Sequence, residues 1–213
     1  MNIPLFTEKN YASIYVFPNF LTNDEINKLK NSLQKYGFQE GGVWGNEKTS
    51  TNMIDDDYCQ KIPTIGNQPK VRKSIIKWIE HDESTEWFYD KIIDLIKVVN
   101  GAHFNLQLKA LETLQYSIYR DGGFYKKHND SGDVDEYKNF QSIRKLSFSI
   151  QLSDSSDYVG GDVVLDNVSD EYKLSKDKGS ITFFRSNMDH EVLPVLEGER
   201  ESIVGWVVGP NVR

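Results

Sequence analysis

Between residues 146 and 152 the chain alternates without a break. Leu146, Phe148, Ile150 and Leu152 are apolar, and Ser147, Ser149 and Gln151 between them are polar. Successive side chains of a strand point to opposite faces, so a period of two creates one apolar and one polar face. A helix cannot gather that pattern on one side. Residues 111–119, 162–165, 180–184 and 203–208 also read as strands. Gly and Asp turns separate these short strands, which points to an antiparallel sandwich, jelly roll or barrel.

Residues 1–100 read as helical and irregular. Ile14–Phe17 is a short strand candidate ended by Pro18. Thr22 and Glu25 have the spacing of a capping box, opening a helix with Ile26, Leu29 and Leu33 as its apolar positions and Gly37 as its terminator. From 41 to 69 there is little periodicity, and a stretch of this length is either a surface loop or a lid. Ser84 is the expected cap of a second helix. Its stripe of Phe88, Ile92, Leu95, Ile96 and Val99 is ordinary core-facing surface, stopped at Gly101. His103 is expected to pack at a strand start. No internal repeat or linker divides the 213 residues, so the expectation is one domain, with a helical and irregular part over 1–100 and a β core over 101–213.

Composition narrows the function classes. A net charge of −7 argues against a general binder of nucleic acid or anionic membrane. The single Cys59 excludes a disulfide framework and a cysteine-rich zinc or iron–sulfur site. The best apolar run, 92–99, is broken by Asp94 and Lys97 and falls far short of the roughly 18 residues of a membrane span. The first residues lack a basic segment followed by a long apolar one. The expectation is a soluble cytoplasmic protein with no signal peptide and no membrane partner.

Four histidines leave few metal ligands to choose from. His128-Asn129-Asp130 follows the turn Asp121-Gly122-Gly123. In an extended segment residues two apart point to the same side, so His128 and Asp130 can bind one ion together. His190, 62 positions further on, can complete a set of two imidazoles and one carboxylate. That facial triad is the ligand set of non-haem Fe(II) oxygenases. The pair alone is a weak signal, since His-x-Asp or His-x-Glu arises by chance about half a time in such a chain. His81-Asp82-Glu83 is a second instance, read as a solvated turn before the second helix. His128 differs in its surroundings. Ten residues after His190 comes Arg200, then Ser202, then the apolar strand. A guanidinium is a two-pronged donor for a carboxylate, and a serine hydroxyl adds a third hydrogen bond. A small dicarboxylate can therefore chelate the ion at one end and be gripped by Arg200 at the other.

Around these residues run Tyr119-x-x-Gly122-x-x-Tyr125-x-x-His128-x-Asp130, Arg144-x-Leu146-Ser147 and Leu152-Ser153-Asp154. They continue with Tyr158-x-Gly160-Gly161-Asp162 and His190-x-Val192-x-Pro194-Val195-x-x-Gly198-x-Arg200-x-Ser202. Together they resemble the iron- and 2-oxoglutarate-dependent oxygenases of the prolyl 4-hydroxylase type, nearest to the PKHD-type hydroxylases. The resemblance covers about residues 111–210. Residues 71–74 and 87–89 match more loosely, and no functional residue is carried over from them.

The resemblance implies a mainly β fold with flanking helices (α+β): a double-stranded β-helix, or cupin-like jelly roll, with the N-terminal helices packed outside. It implies Fe(II) held by His128, Asp130 and His190, and 2-oxoglutarate as cosubstrate with its distal carboxylate on Arg200, assisted by Ser202. Tyr119 corresponds to a tyrosine lining the cosubstrate pocket and Tyr125 to one nearer the substrate. Dioxygen is the oxidant, and ascorbate supports turnover. Gln151 becomes a further cosubstrate partner where the polar face of its strand lines a lumen rather than solvent.

The implied activity is hydroxylation of an unactivated C–H bond, with a prolyl residue of a peptide or a free amino acid as the leading substrate and release of succinate and CO2. A rival is a non-catalytic metal-binding jelly roll, against which Arg200 and Ser202 speak, since a structural metal site needs no carboxylate clamp. An oxidative nucleic-acid demethylase calls for a further arginine and a basic groove. Here Arg213 is terminal and the charge is −7. A halogenase is disfavoured by Asp130, which supplies the carboxylate such enzymes lack. One departure stands out: many relatives have Phe-Pro-Ser where this chain has Phe184-Arg185-Ser186, and Arg185 is expected to bear on substrate charge.

Overall fold

The structure, a computed structural model, describes residues 13–41, 71–131, 142–166 and 171–211. Apart from Gly41, the expected loop or lid at 41–69 lies outside them. In chain order the elements are β1 (Ile14–Phe17), α1 (Asn23–Ser32), β2 (Gln39–Glu40), β3 (Arg72–Lys73), β4 (Ile75–Ile79), α2 (Glu86–Val99), β5 (Ala110–Leu111), β6 (Leu114–Tyr119) and β7 (Phe124–His128). They continue with β8 (Ser142–Gln151), β9 (Tyr158–Gly160), β10 (Val163–Asp166), β11 (Glu171–Lys173), β12 (Ile181–Arg185), β13 (His190–Val192), β14 (Val195–Gly198) and β15 (Arg200–Pro210).

Among the described residues the major sheet runs β1-β12-β8-β15-β6-β4-β2, with β5 added on β15, and a second sheet runs β11-β10-β13-β7-β3. All pairings are antiparallel. The alternation at 146–152 works as the sequence predicts. Ile150 lies between Ile181 and Ile203, and Phe148 lies between Phe183 and Gly205. These residues face outward onto the helices. With Ile26 and Leu29 of α1 and Phe88, Ile92, Ile96 and Val99 of α2 they form one apolar cluster. Burying such side chains contributes about 1.5–3 kcal/mol each. The helices are thus packed outside the sheet, as the resemblance implies. The other face carries Ser147, Ser149, Gln151, Thr182, Ser117 and Ser202, and it is buried too. It looks across at the second sheet through a smaller cluster of Tyr119, Tyr158, Val163, Leu165, Phe184, Val192 and Val195. The space between the sheets is the lumen of a jelly roll.

The capping box forms: Thr22 Oγ1 accepts from the Glu25 amide while the Glu25 carboxylate accepts from the Thr22 amide. Other helix ends differ from expectation. α1 does not run to Gly37, because a 3₁₀ turn over Leu33–Lys35 follows it and Tyr36 turns extended. Ser84 does not cap α2. Its amide and hydroxyl both donate to Asp82 Oδ1, so the helix starts after Thr85 with no side-chain cap. Asp82 also accepts from Lys35 and Tyr36, which ties the turn of His81-Asp82-Glu83 to the end of α1. Gly101 does not stop α2. The chain continues through a π turn over Asn100–Phe104 and leaves it at Asn105 with φ 50° and ψ 44°, a left-handed conformation that Asn tolerates. His103 therefore lies in that turn, stacked on Tyr15 at 3.9 Å, and not at a strand start. The strand expected over 111–119 is two strands, β5 and β6. Between them Glu112 takes a two-pronged bond from Arg144. Among the described residues no helix is long and apolar enough to cross a membrane.

Candidate metal centre and carboxylate site

β7 and β13 are neighbours, and their register sets His190 directly across from His128. His128 ends β7. Two residues later the amides of Asp130 and Ser131 both donate to the Ser186 carbonyl, at 2.8 and 3.0 Å. That tie brings Asp130 to the turn between β12 and β13, which leads into His190. The three side chains converge, with one ligand atom from each within 4.8 Å of the others. His128 Nε2 is 3.8 Å from Asp130 Oδ1, and His190 Nε2 is 3.6 Å from Asp130 Oδ2.

Both imidazoles are held in the tautomer that a ligand needs. His128 Nδ1 lies 2.8 Å from the Lys126 carbonyl and His190 Nδ1 lies 3.0 Å from the Met188 carbonyl. A carbonyl oxygen only accepts, so each Nδ1 carries a hydrogen and Nε2 is the ring nitrogen turned to the centre. Burial, with His190 alongside, pulls the His128 ring down to about 4, against the opposite influence of Asp130. His128 is therefore neutral at physiological pH, the form that ligates. Among the described residues Asp130 has no Lys or Arg as ion-pair partner. Two imidazoles that turn Nε2 inward and one carboxylate without a Lys or Arg partner among the described residues fit a divalent transition-metal ion.

Aromatic rings steady the ligands. Tyr125 stacks on His128 with centroids 3.6 Å apart, and Phe184 meets His190 edge-on at 4.9 Å. The Arg72 guanidinium lies 4.8 Å from the Tyr125 ring. It donates to Ser74 Oγ at 2.6 Å and Gln115 Oε1 at 2.8 Å on the lumen face. The sequence reading left Arg72 without a role. A signal was present, since Arg72 and Ser74 are two apart in an extended segment and so share a face.

Arg200 opens β15 opposite Tyr119 of β6. It is 4% exposed, donates to Ser202 Oγ at 3.2 Å and lies 5.8 Å from the centre of the Tyr119 ring. Among the described residues no carboxylate pairs with it. The nearby Asp162 is held by Lys173 at 2.7 Å and Lys176 at 2.6 Å. Burial lowers the Arg200 pKa from its ordinary value. A guanidinium buried without a counter-charge is costly, and an anionic ligand offsets that cost. Gly161 makes room for it. Its φ is +60°, and a Cβ there would sit 3.2 Å from both Arg200 Cδ and Tyr158 Cε2.

The polar face of 146–152 lines the lumen, and Gln151 is 3% exposed. Its two amide hydrogens go to the Ser153 carbonyl at 3.1 Å and the Tyr158 hydroxyl at 3.0 Å. Arg185 does not bear on the site. Strand alternation gives Phe184 the lumen, and Arg185 reaches the other way to the Phe104 carbonyl.

Known proteins resemble this chain in sequence and in fold. Residues 114–208 match the 2OG-Fe(II) oxygenase superfamily. A PKHD-type hydroxylase of Maricaulis maris is 34% identical over 99 residues, 46% of this chain and 43% of that protein. Another, from Prochlorococcus marinus strain MIT 9215, is 26% identical over 198 residues, 91% of this chain and 77% of that protein. The chain thus spans under half the length of the Maricaulis relative. Two solved structures share the fold. The crystal structure of a Pseudomonas putida prolyl-4-hydroxylase superposes with a TM-score of 0.65 at 19% identity, covering 93% of this chain and 94% of that one. A Trichoplax adhaerens prolyl hydroxylase in complex with a hypoxia inducible factor oxygen degradation domain peptide fragment gives 0.68 at 20% identity, covering 92% and 83%.

Proposed function

From the match of residues 114–208 to the 2OG-Fe(II) oxygenase superfamily, we propose that the chain is a 2-oxoglutarate-dependent hydroxylase acting on a peptide, with a prolyl residue as the leading target. The observation that carries this reading is the juxtaposition of a two-histidine, one-carboxylate centre with Arg200, a buried cation that has no carboxylate partner among the described residues. A metal site alone needs no such clamp. His128, Asp130 and His190 would hold Fe(II), and the chemistry it would supply is activation of dioxygen, coupling oxidation of 2-oxoglutarate to succinate and CO2 with insertion of one oxygen atom into a substrate C–H bond.

The protein's own residues provide position and exclusion. The Lys126 and Met188 carbonyls aim the two imidazoles, and the register of β7 with β13 fixes their separation. Arg200, with the Ser202 hydroxyl beside it, takes the distal carboxylate in a charge-assisted bond. The cluster around Val163, Leu165, Phe184 and Val192 keeps water from the back of the site. Tyr125, stacked on His128 and capped by Arg72, faces the substrate. Its ring and the guanidinium offer an apolar surface and a donor, which together suit a peptide carbonyl next to a pyrrolidine ring. The names of the PKHD-type relatives support a hydroxylase, and the peptide-bound Trichoplax structure supports a peptide substrate.

The test is succinate release by purified protein with Fe(II), 2-oxoglutarate and ascorbate, with and without proline-containing peptides. Turnover that His128→Ala abolishes and a peptide stimulates is the expected result. Absence of succinate, together with no binding of 2-oxoglutarate by metal-loaded protein, overturns the reading.

A further inference from the structure

We propose that Tyr158 donates its hydroxyl hydrogen to the distal carboxylate of 2-oxoglutarate beside Arg200, and that Gln151 is the positioning residue that holds it there; this rests on the hydroxylase reading above. The orientation of the Gln151 amide starts the chain of reasoning. The Ser153 carbonyl can only accept, so the Gln151 atom facing it is the NH2 group. The second hydrogen of that group then points at the Tyr158 oxygen, 3.0 Å away, which must accept it. The hydroxyl hydrogen of Tyr158 is therefore directed elsewhere. Among the described residues it has no acceptor.

Tyr158 is 5% exposed, so a lost partner there is costly. Its ring is pinned on both sides. Gly161 lies against the Tyr158 ring edge and the Arg200 stem, and the Lys176 ammonium sits 5.0 Å from the ring centre. Arg200 Cδ and Tyr158 Cε2 each lie 3.2 Å from the place a Gly161 Cβ would take, which sets the two side chains side by side. Two buried donors, one neutral and one cationic, thus meet at one place with no carboxylate between them. A carboxylate brings about four lone-pair positions and can accept from both. Gln151 has no hydrogen left for the cosubstrate, so it acts through Tyr158. Tyr119 shares the apolar cluster, but among the described residues no side chain orients its hydroxyl as Gln151 orients that of Tyr158.

The experiment is titration calorimetry of the full chain loaded with Mn(II), without dioxygen. The two ligands are 2-oxoglutarate and oxalate, which chelates a metal ion through adjacent carboxyl oxygens but has no distal carboxylate. Tyr158→Phe is expected to weaken 2-oxoglutarate about ten- to hundredfold, as loss of a hydrogen bond to a charged group should. Its affinities for oxalate and for Mn(II) should stay within about twofold of the parent. Gln151→Leu should shift the 2-oxoglutarate affinity in the same direction by less, about three- to tenfold, again sparing oxalate. It also carries the test should Tyr158→Phe fail to fold. An unchanged 2-oxoglutarate affinity in Tyr158→Phe, or an equal loss for oxalate, overturns the Tyr158 role. An unchanged affinity in Gln151→Leu overturns the positioning role. A parent protein that binds Mn(II) and oxalate but not 2-oxoglutarate overturns the hydroxylase reading itself, which separates the two failures.

Discussion

The two faces of the major sheet are equally hidden from water and built from opposite chemistry. On the helix side Phe148, Ile150, Phe183 and Ile203 interlock with α1 and α2, and the buried Tyr89 and Tyr116 hydroxyls of that cluster donate to the Ile79 carbonyl and the Glu201 carboxylate. On the lumen side Ser147, Gln151, Ser202 and Arg200 are as deeply buried, and each polar group must be satisfied. Ser147 bonds Ser186, Gln151 bonds Tyr158, and Arg200 bonds Ser202. Burial alone does not separate a core from a site. The distinction lies in what the buried atoms still lack. The helix side lacks nothing, while the lumen side keeps a cation without a carboxylate partner and a hydroxyl hydrogen without an acceptor among the described residues.

That contrast can be attacked in order of expected effect. Asp130→Ala on the lumen side should abolish Mn(II) binding and succinate release, with a loss of more than about a hundredfold and a circular dichroism spectrum like the parent's. Phe148→Ala on the helix side should lower unfolding free energy by about 3–5 kcal/mol in urea titrations, while the 2-oxoglutarate requirement of the folded protein stays unchanged. Arg200→Met should raise the half-saturating 2-oxoglutarate concentration by about a hundredfold. It should leave unfolding free energy unchanged or slightly higher, since an apolar side chain replaces an uncompensated buried charge. Ser149→Ala, one residue along from Phe148 but facing the lumen, should change stability by less than about 1 kcal/mol. A Ser149→Ala loss as large as that of Phe148→Ala would erase the distinction between the faces.

Much of this contrast is legible in the alternation of 146–152, because one sheet face there meets helices and the other meets the lumen. The same reasoning fails at β4. Ile75, Ile76 and Lys77 are all buried, so the strand shows no period of two and hides in a segment that reads as irregular. The two-residue strands β2 and β3 are created by their partners β4 and β7, which no local pattern announces. The metal centre was open to reading because its ligand types are rare in this chain and its spacing follows strand geometry. The roles around it were not. Arg200 is recognisable as an arginine at the right register, whereas its lack of a carboxylate partner depends on Asp162 being claimed by Lys173 and Lys176. Arg185 was misread through neglect of the alternation that assigns Phe184 to the lumen. The direction of the Tyr158 hydroxyl follows only from the Ser153 carbonyl, far outside any motif logic.

Gly161 contributes an atom that is missing. Adding one methyl group there would crowd the stem of Arg200 and the edge of Tyr158 at once, in a backbone conformation that L side chains rarely adopt. The substitution touches neither the three ligands nor any bound molecule. It would still move the two donors that measure the far end of a dicarboxylate. In the site proposed above, the length of acid accepted is set partly by the space that Gly161 leaves, and variation at that glycine would retune cosubstrate choice while every residue proposed to contact the cosubstrate stayed the same.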